Sequence, residues 1–172
     1  MNGWHIRLAR DDDAQAFHEV ETDAAGLLQD EPSLAGIPVP PAESAEHYRR
    51  LIRRGHCLTA YEGERIVGFA AAAPIRRELH LAEISVVRTH QQIGIGATLL
   101  EALAIDGRNA GFRAITLNTY IDVPWNAPFY ARHGFVELHD LEGRPHLADS
   151  LEKAARLGLP RERRCAMIRF LG

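Results

Sequence analysis

Two cysteines and two methionines are all the sulfur in this 172-residue chain. Cys57 and Cys165 lie far apart, with no CxxC. They read as small buried hydrophobes of a reducing compartment, not as a disulfide framework. The nine histidines are scattered and form neither HxH nor HExxH, so no metal set is expected. No uninterrupted apolar run approaches the roughly 20 residues needed to cross a bilayer. The start, MNGWHIRLARDDD, lacks the basic residues and apolar core of a signal peptide. The expected location is cytoplasmic. The net charge is only −3, so no global basic field invites nucleic acid or an anionic membrane. Neither is an expected partner. Two nucleotide signatures are also missing: no Gly-Lys-Ser/Thr follows the glycine pair at 94 and 96, and no third glycine completes a dinucleotide fingerprint.

What is present is ordinary for a soluble globular chain, with 46% hydrophobic and 25% charged residues. The length suits one domain, residues 1–172. Its most informative stretch is Leu79 to Leu103, LHLAEISVVRTHQQIGIGATLLEAL. An apolar run to Val87 breaks into a polar turn, Arg88 to Gln92. Gly94 and Gly96 follow, then Leu99, Leu100 and Leu103 at helical spacing. This predicts a strand, a tight loop and a helix. A helix that starts beside a glycine loop offers free N–H groups and the positive end of its dipole, which is an anion site.

The flanking chain reads in order. Trp4 to Leu8 is a first strand. Asp11, Asp12 and Asp13 suit a helix N-terminus, and Ala14, Phe17, Val20, Glu21, Ala24 and Leu28 give that helix a mixed but usable apolar face. Leu28 to Pro41 is irregular, broken by Pro32, Gly36, Pro38, Pro40 and Pro41. Ala42 to Arg54 returns to helix, with Arg49, Arg50, Arg53 and Arg54 expected mostly in solvent. His56–Tyr61, Arg65–Ala73 and Leu79–Val87 are three antiparallel strands in series. After the glycine loop a helix runs to about Asn109, and Phe112–Thr119 alternates as a strand parallel to Leu79–Val87. Pro124 suits the start of a short helix ending at Arg132. Phe135–Leu138 is a strand, Leu147, Leu151, Ala154 and Leu157 mark a helix, and Arg164–Phe170 closes the chain.

The segments I-S-V-V (84–87), Q-Q-I-G-I-G-A (91–97) and N-A-P-F-Y-A-R-H-G-F (126–135) together resemble the GNAT superfamily of N-acetyltransferases. The resemblance covers residues 56 to 138 well, and the first strand and helix loosely. It implies a mixed α/β fold: a central, mostly antiparallel sheet with one splayed parallel pair, flanked by helices. It implies acetyl-CoA as co-substrate and no metal. The pyrophosphate is then expected on the backbone of Gln91, Gln92, Ile93, Gly94, Ile95 and Gly96 and on the helix start at Ala97 and Thr98. The pantetheine arm is expected along Ser85, Val86 and Val87, where the strands splay. Tyr130 matches the tyrosine that protonates the departing thiolate. The family asparagine lies seven residues before that tyrosine, where this chain has Val123. Asn126 is the nearby substitute for a pantetheine contact.

A base is also needed, and Glu83 is the leading candidate, directly or through water. Strand alternation groups Glu83 with Ser85, and Ile84 with Val86. Which pair faces the cleft depends on whether a bulge interrupts the strand. Asp122, His133, Glu31 and His80 are alternatives. By analogy the acceptor walls are residues 27–41 and 139–163, and Asp30, Glu31 and Asp122 would favour a cationic amine. The leading expectation is acetyl transfer from acetyl-CoA to a primary amine of a small molecule or peptide by direct attack, with no covalent intermediate on Cys57 or Cys165. The competing class is an acyl-CoA-binding regulatory module without turnover. If the chain self-associates, a homodimer is the expected form.

Overall fold

The computed structural model describes residues 3–172, so Met1 and Asn2 of the N-terminal stretch lie outside it. The chain runs β1 (Trp4–Leu8), α1 (Ala14–Asp30), α2 (Ala45–Ile52), β2 (Leu58–Glu62), β3 (Arg65–Ile75), β4 (Glu78–Val86), α3 (Ile95–Asn109), β5 (Ala114–Tyr120), α4 (Ala127–Arg132), β6 (Val136–Leu138), α5 (Pro145–Arg156) and β7 (Arg164–Phe170). One sheet holds all seven strands in the order β1-β2-β3-β4-β5-β7-β6. Every pairing is antiparallel except β4 with β5. That parallel pair is the crossover through α3 that the sequence predicts.

The parallel ladder is short. Glu78, Leu79 and His80 pair with Ala114, Ile115 and Thr116, and then the strands part. From Leu81 to Val86 the β5-facing edge of β4 has no strand partner, although β4 stays paired with β3 on its other side and the Val86 carbonyl is met by Gln91.

The sheet is covered on both faces. Phe17 of α1 stacks on Phe69 of β3 at 4.2 Å, and Tyr48 of α2 meets Phe69 edge-on at 5.1 Å. On the opposite face the neighbouring Gly68 lies against Ile95 of α3. Leu99, Leu100 and Leu103 of α3 are fully buried there. Gly107 shows how closely α3 approaches the sheet. A Cβ on it would lie 3.0 Å from both the Leu79 and Leu171 side chains, which would have to give way by a few tenths of an ångström.

Three sequence expectations need adjusting. The short helix starts at Ala127 and not at Pro124. Residues 123–126 form a turn closed by Asn126 N–H donating to the Val123 carbonyl at 2.9 Å, and Pro128 occupies the first helical turn. The second helix is trimmed to Ala45–Ile52 by its cap, where the Ser44 hydroxyl accepts from His47 N–H. Asp11–Asp13 form a single 3₁₀ turn before α1, and their carboxylates do not cap it alike. Asp11 is exposed and pairs with Arg53 at 2.8 Å. Asp13 is 4% exposed and accepts from both Nη atoms of Arg7, from Arg10 N–H and from Thr59 Oγ1.

Burial alone would raise the Asp13 carboxyl pKa. The hydrogen bonds from Arg7, Arg10 and Thr59 outweigh it and hold the group below the ordinary carboxylate range. Removing the carboxylate strands Arg7 and Thr59 beside the core. Asp13→Ala is therefore expected to lower the unfolding free energy by about 3 kcal/mol at neutral pH, read from urea melts. Because the folded pKa is the lower one, this contribution is intact above the unfolded-state value. The gap between wild type and variant should close as pH falls through the folded pKa.

Candidate functional site

The glycine loop is built as a turn that no other residue type fits well. Gly94 has φ +96° and caps α3 from the left-handed region, and Gln92 precedes it at φ +62°. Among the described residues, no backbone N–H from Gln92 to Ala97 donates to a protein acceptor. The first bond inward is Thr98 N–H to the Gly94 carbonyl at 3.0 Å, reinforced by Thr98 Oγ1 at 2.8 Å. Gln92, Ile93, Gly94, Ile95, Gly96 and Ala97 thus present unused donors at the positive end of a 15-residue helix. Gln91 turns the other way, and its Nε2 donates to the Val86 carbonyl at 2.9 Å, tying the loop to the strand end. From α1, Asp23 accepts Arg88 N–H at 2.7 Å and fixes the start of the same loop. A Cβ at Gly96 would touch only Phe129, at an ordinary 3.7 Å, so packing within the protein does not demand a glycine there.

The facing of β4 is decided by a bulge. Ala71 pairs with Glu83 but Ala72 pairs with Leu81, so Ala82 is an extra residue. Leu79 and Leu81 point into the α3 face. Unbroken alternation would send Glu83 after them. The inserted Ala82 turns Glu83 and Ser85 to the face covered by α1 and α2. There Ser85 Oγ donates to Glu83 Oε1 at 2.8 Å.

Glu83 is not alone on that face. Tyr48 of α2 donates its hydroxyl to Glu21 Oε1 of α1, and Glu43 N–H donates to the same oxygen at 2.9 Å. Burial raises the pKa of both carboxyls; the charge of Glu21 raises that of Glu83 further, and the charge of Glu43 raises that of Glu21. Glu83 reaches about 8, despite the opposing bond from Ser85. Tyr130 of α4 is 9% exposed and packs edge-on against Phe129 and Phe135 at 5.3 and 5.7 Å. Burial, and then the charge of Glu83, push its hydroxyl above the usual phenol range. Perturbed titratable groups of this kind gather at functional sites, which marks Glu83 and Tyr130 as candidates.

The other sequence candidates are engaged elsewhere. Asp122 pairs with Arg163 at 3.0 Å, Glu31 caps the turn at Ser33, and Asp30 lies 3.4 Å from Arg88. His133 stacks on Phe129 at 4.7 Å. His80 is largely buried against Thr116 and His146, and burial lowers its pKa to about 4. Asn126 Oδ1 accepts from the Thr119 hydroxyl at 2.6 Å, which leaves its amide N–H groups for a ligand. Both cysteines are buried, with thiol pKa values pushed up to about 11, a state that suits packing and not nucleophilic attack. No group of three metal-ligating side chains occurs among the described residues.

Sequence reasoning missed Glu21 and Tyr48, which read as parts of amphipathic helices. It also missed Asn118 and Arg164, on β5 and at the start of β7, whose Oδ1 and Nε are buried without a hydrogen-bond partner among the described residues. The two irregular segments do meet: Leu34, Val123, Leu159 and Tyr120 form a small apolar cluster with Leu28, Ile37 and Ala154. Arg163 Nη1 also donates to the Ser33 carbonyl across them.

The acetyltransferase (GNAT) family pattern matches residues 9–135. The uncharacterized N-acetyltransferase YjcF of Bacillus subtilis is 29% identical over 111 residues, covering 62% of this chain and 76% of that protein. Among solved structures, the PaiA N-acetyltransferase of Thermoplasma acidophilum in complex with coenzyme A superposes with a TM-score of 0.70 at 17% identity, over 99% of both chains. A GNAT family acetyltransferase of Brucella melitensis in complex with acetyl-CoA gives 0.58 at 24% identity, over 77% of this chain and 82% of that one. With an unpartnered glycine loop at a helix start, a parallel pair that splays beside it and a family match across most of its length, this chain belongs to the GNAT family of acetyl-CoA-dependent N-acetyltransferases.

Proposed function

We propose that the protein moves the acetyl group of acetyl-CoA directly onto a primary amine, with Glu83 as general base and Tyr130 as general acid. The observation that carries this reading is the bulge at Ala82. It turns Glu83 into the cleft, where its charge bears on Tyr130. Acetyl-CoA supplies the activated thioester. The unused N–H groups from Gln92 to Ala97, together with Thr98, suit its pyrophosphate. The strand end at Ser85, Val86 and Val87, which has no partner on the β5 side, suits its pantetheine amides in the manner of an added strand.

Glu83 takes a proton from the bound ammonium and frees the lone pair. The amine attacks the thioester carbonyl, and the carbon–sulfur bond breaks as the tetrahedral intermediate collapses. Tyr130 gives its proton to the leaving thiolate and recovers one from the new amide nitrogen. Glu83 returns its proton to water. No side chain is acylated, in keeping with the buried thiols of Cys57 and Cys165. A base with a pKa of about 8 is well placed to deprotonate an ammonium near neutral pH.

Tyr130→Phe preserves the ring contacts with Phe129 and Phe135 and removes only the proton. It is expected to lower kcat about 100-fold, with acetyl-CoA affinity near wild type, measured by thiol release with a panel of amines. Binding of CoA without thiol release on any amine would overturn the transfer reading in favour of a regulatory module.

Glu83 is active when ionised, so kcat/KM should climb with pH through a limb centred near 8. Glu83→Gln keeps an acceptor for Ser85 but cannot take a proton. It should flatten that limb and lower kcat/KM at pH 8 about 100-fold. An unchanged pH profile in the variant would assign the base elsewhere.

A further inference from the structure

Two buried side-chain atoms find no hydrogen-bond partner among the described residues: Asn118 Oδ1 and Arg164 Nε. One is an acceptor and the other a cationic donor. Both lie on the β5–β7 side of the splay, on one face of that strand pair. Asn118 is two residues beyond Thr116, whose hydroxyl lies 3.2 Å from His80 Nδ1 across the last parallel pairs. His80, like Glu83, points away from the α3 face. Two residues further, Tyr120 pairs across the ladder with Arg164, whose guanidinium carbon lies 4.9 Å above the Tyr120 ring. The splay therefore separates carboxylates on the β4 side, Glu83 with Glu21 behind it, from Arg164 and Asn118 on the β5–β7 side.

Arg164 is also the exception among the arginines. Arg7, Arg49, Arg144, Arg163 and Arg169 are likewise partly buried, and each pairs with a carboxylate. Arg164 alone among the partly buried described arginines has no ion pair. Burial lowers its pKa, and Tyr120, Cys165 and the charge of Glu83 oppose that shift. A buried guanidinium without a carboxylate is half of an ion pair, and its planar fork matches a carboxylate best.

We propose that the acceptor is a free amino acid or a similarly short amino carboxylate. Its carboxylate is held by Arg164, an N–H is accepted by Asn118 Oδ1, and its amine is presented to Glu83. This rests on the transfer reading above and narrows it: an acceptor with negative and positive ends completes both walls, whereas a polyamine leaves Arg164 unpaired.

The test compares L-amino acids with their carboxamides, which keep the amine and lose the charge, in the acetyl-CoA thiol-release assay. For at least one amino acid, wild-type kcat/KM should exceed that of its carboxamide about 10- to 100-fold. In Arg164→Met that ratio should fall to near one. Carboxamides used as well as the acids, or a preference that survives in Arg164→Met, would overturn the proposal. Arg164→Lys keeps the charge without the fork and guards against a Met variant that does not fold. A folded Lys variant, checked by thermal unfolding, should show a reduced ratio, and an unchanged ratio counts against the proposal. If no amine supports thiol release, the transfer reading fails on its own. Calorimetric titration of the same amino acids onto the CoA-saturated protein then decides the subsite. Binding that Arg164→Met abolishes supports it, and no binding of any amino acid overturns it.

Discussion

The structure depends on the point where β4 and β5 stop pairing. Three residue pairs hold the strands in register, and beyond His80 and Thr116 the ladder opens. An open ladder in a sheet interior leaves unsatisfied backbone groups, which is costly unless a ligand or solvent meets them. The splay therefore creates the cleft and the hydrogen-bonding edge that a pantetheine arm needs. The rest of the fold braces it. α3 is locked to β4 by the close contact at Gly107, and the Phe17–Phe69–Tyr48 aromatic group packs the other face.

One inserted residue then sets the chemistry. Without Ala82, Glu83 would follow Leu79 and Leu81 into an apolar layer, where a charge is unaffordable. With it, Glu83 stands beside Ser85 and under the influence of Glu21, and its pKa rises towards 8. Burial, and then the charge of the same carboxylate, raise the Tyr130 hydroxyl. The aromatic group that packs α1 and α2 onto the sheet also carries the Tyr48 hydroxyl to Glu21. Packing and electrostatics here share the same side chains.

The strands, the three longer helices around them and the parallel crossover were legible in the residues, because each rests on a local period or a turn signal. The loop at Gln91–Gly96 was legible for the same reason, since a glycine at φ +96° leaves a mark in the sequence itself. The start of the short helix was not legible. Pro124 and Pro128 both suit a first turn, and a carbonyl contact at Val123 chose between them. The acidic run at Asp11–Asp13 was read as capping because three adjacent carboxylates look alike on paper. Only the approach of Arg7 and Thr59 singles out Asp13 as a buried structural acid.

The sequence by itself determined the family-like motifs, the anion-binding loop and the candidacy of Tyr130 and Glu83. These are encoded over a dozen residues or fewer, where helical and strand periods act. Only the tertiary structure decided which way Glu83 faces, because a bulge is a property of the register between two strands and not of one. It alone joined Tyr48 to Glu21 and left Asn118 Oδ1 and Arg164 Nε buried without a partner among the described residues. It also showed that Asp30, Glu31 and Asp122 are engaged with partners of their own. The physical reason is common to all of these. Charge and burial act through space, and the distances that set them arise only when the sheet has been assembled.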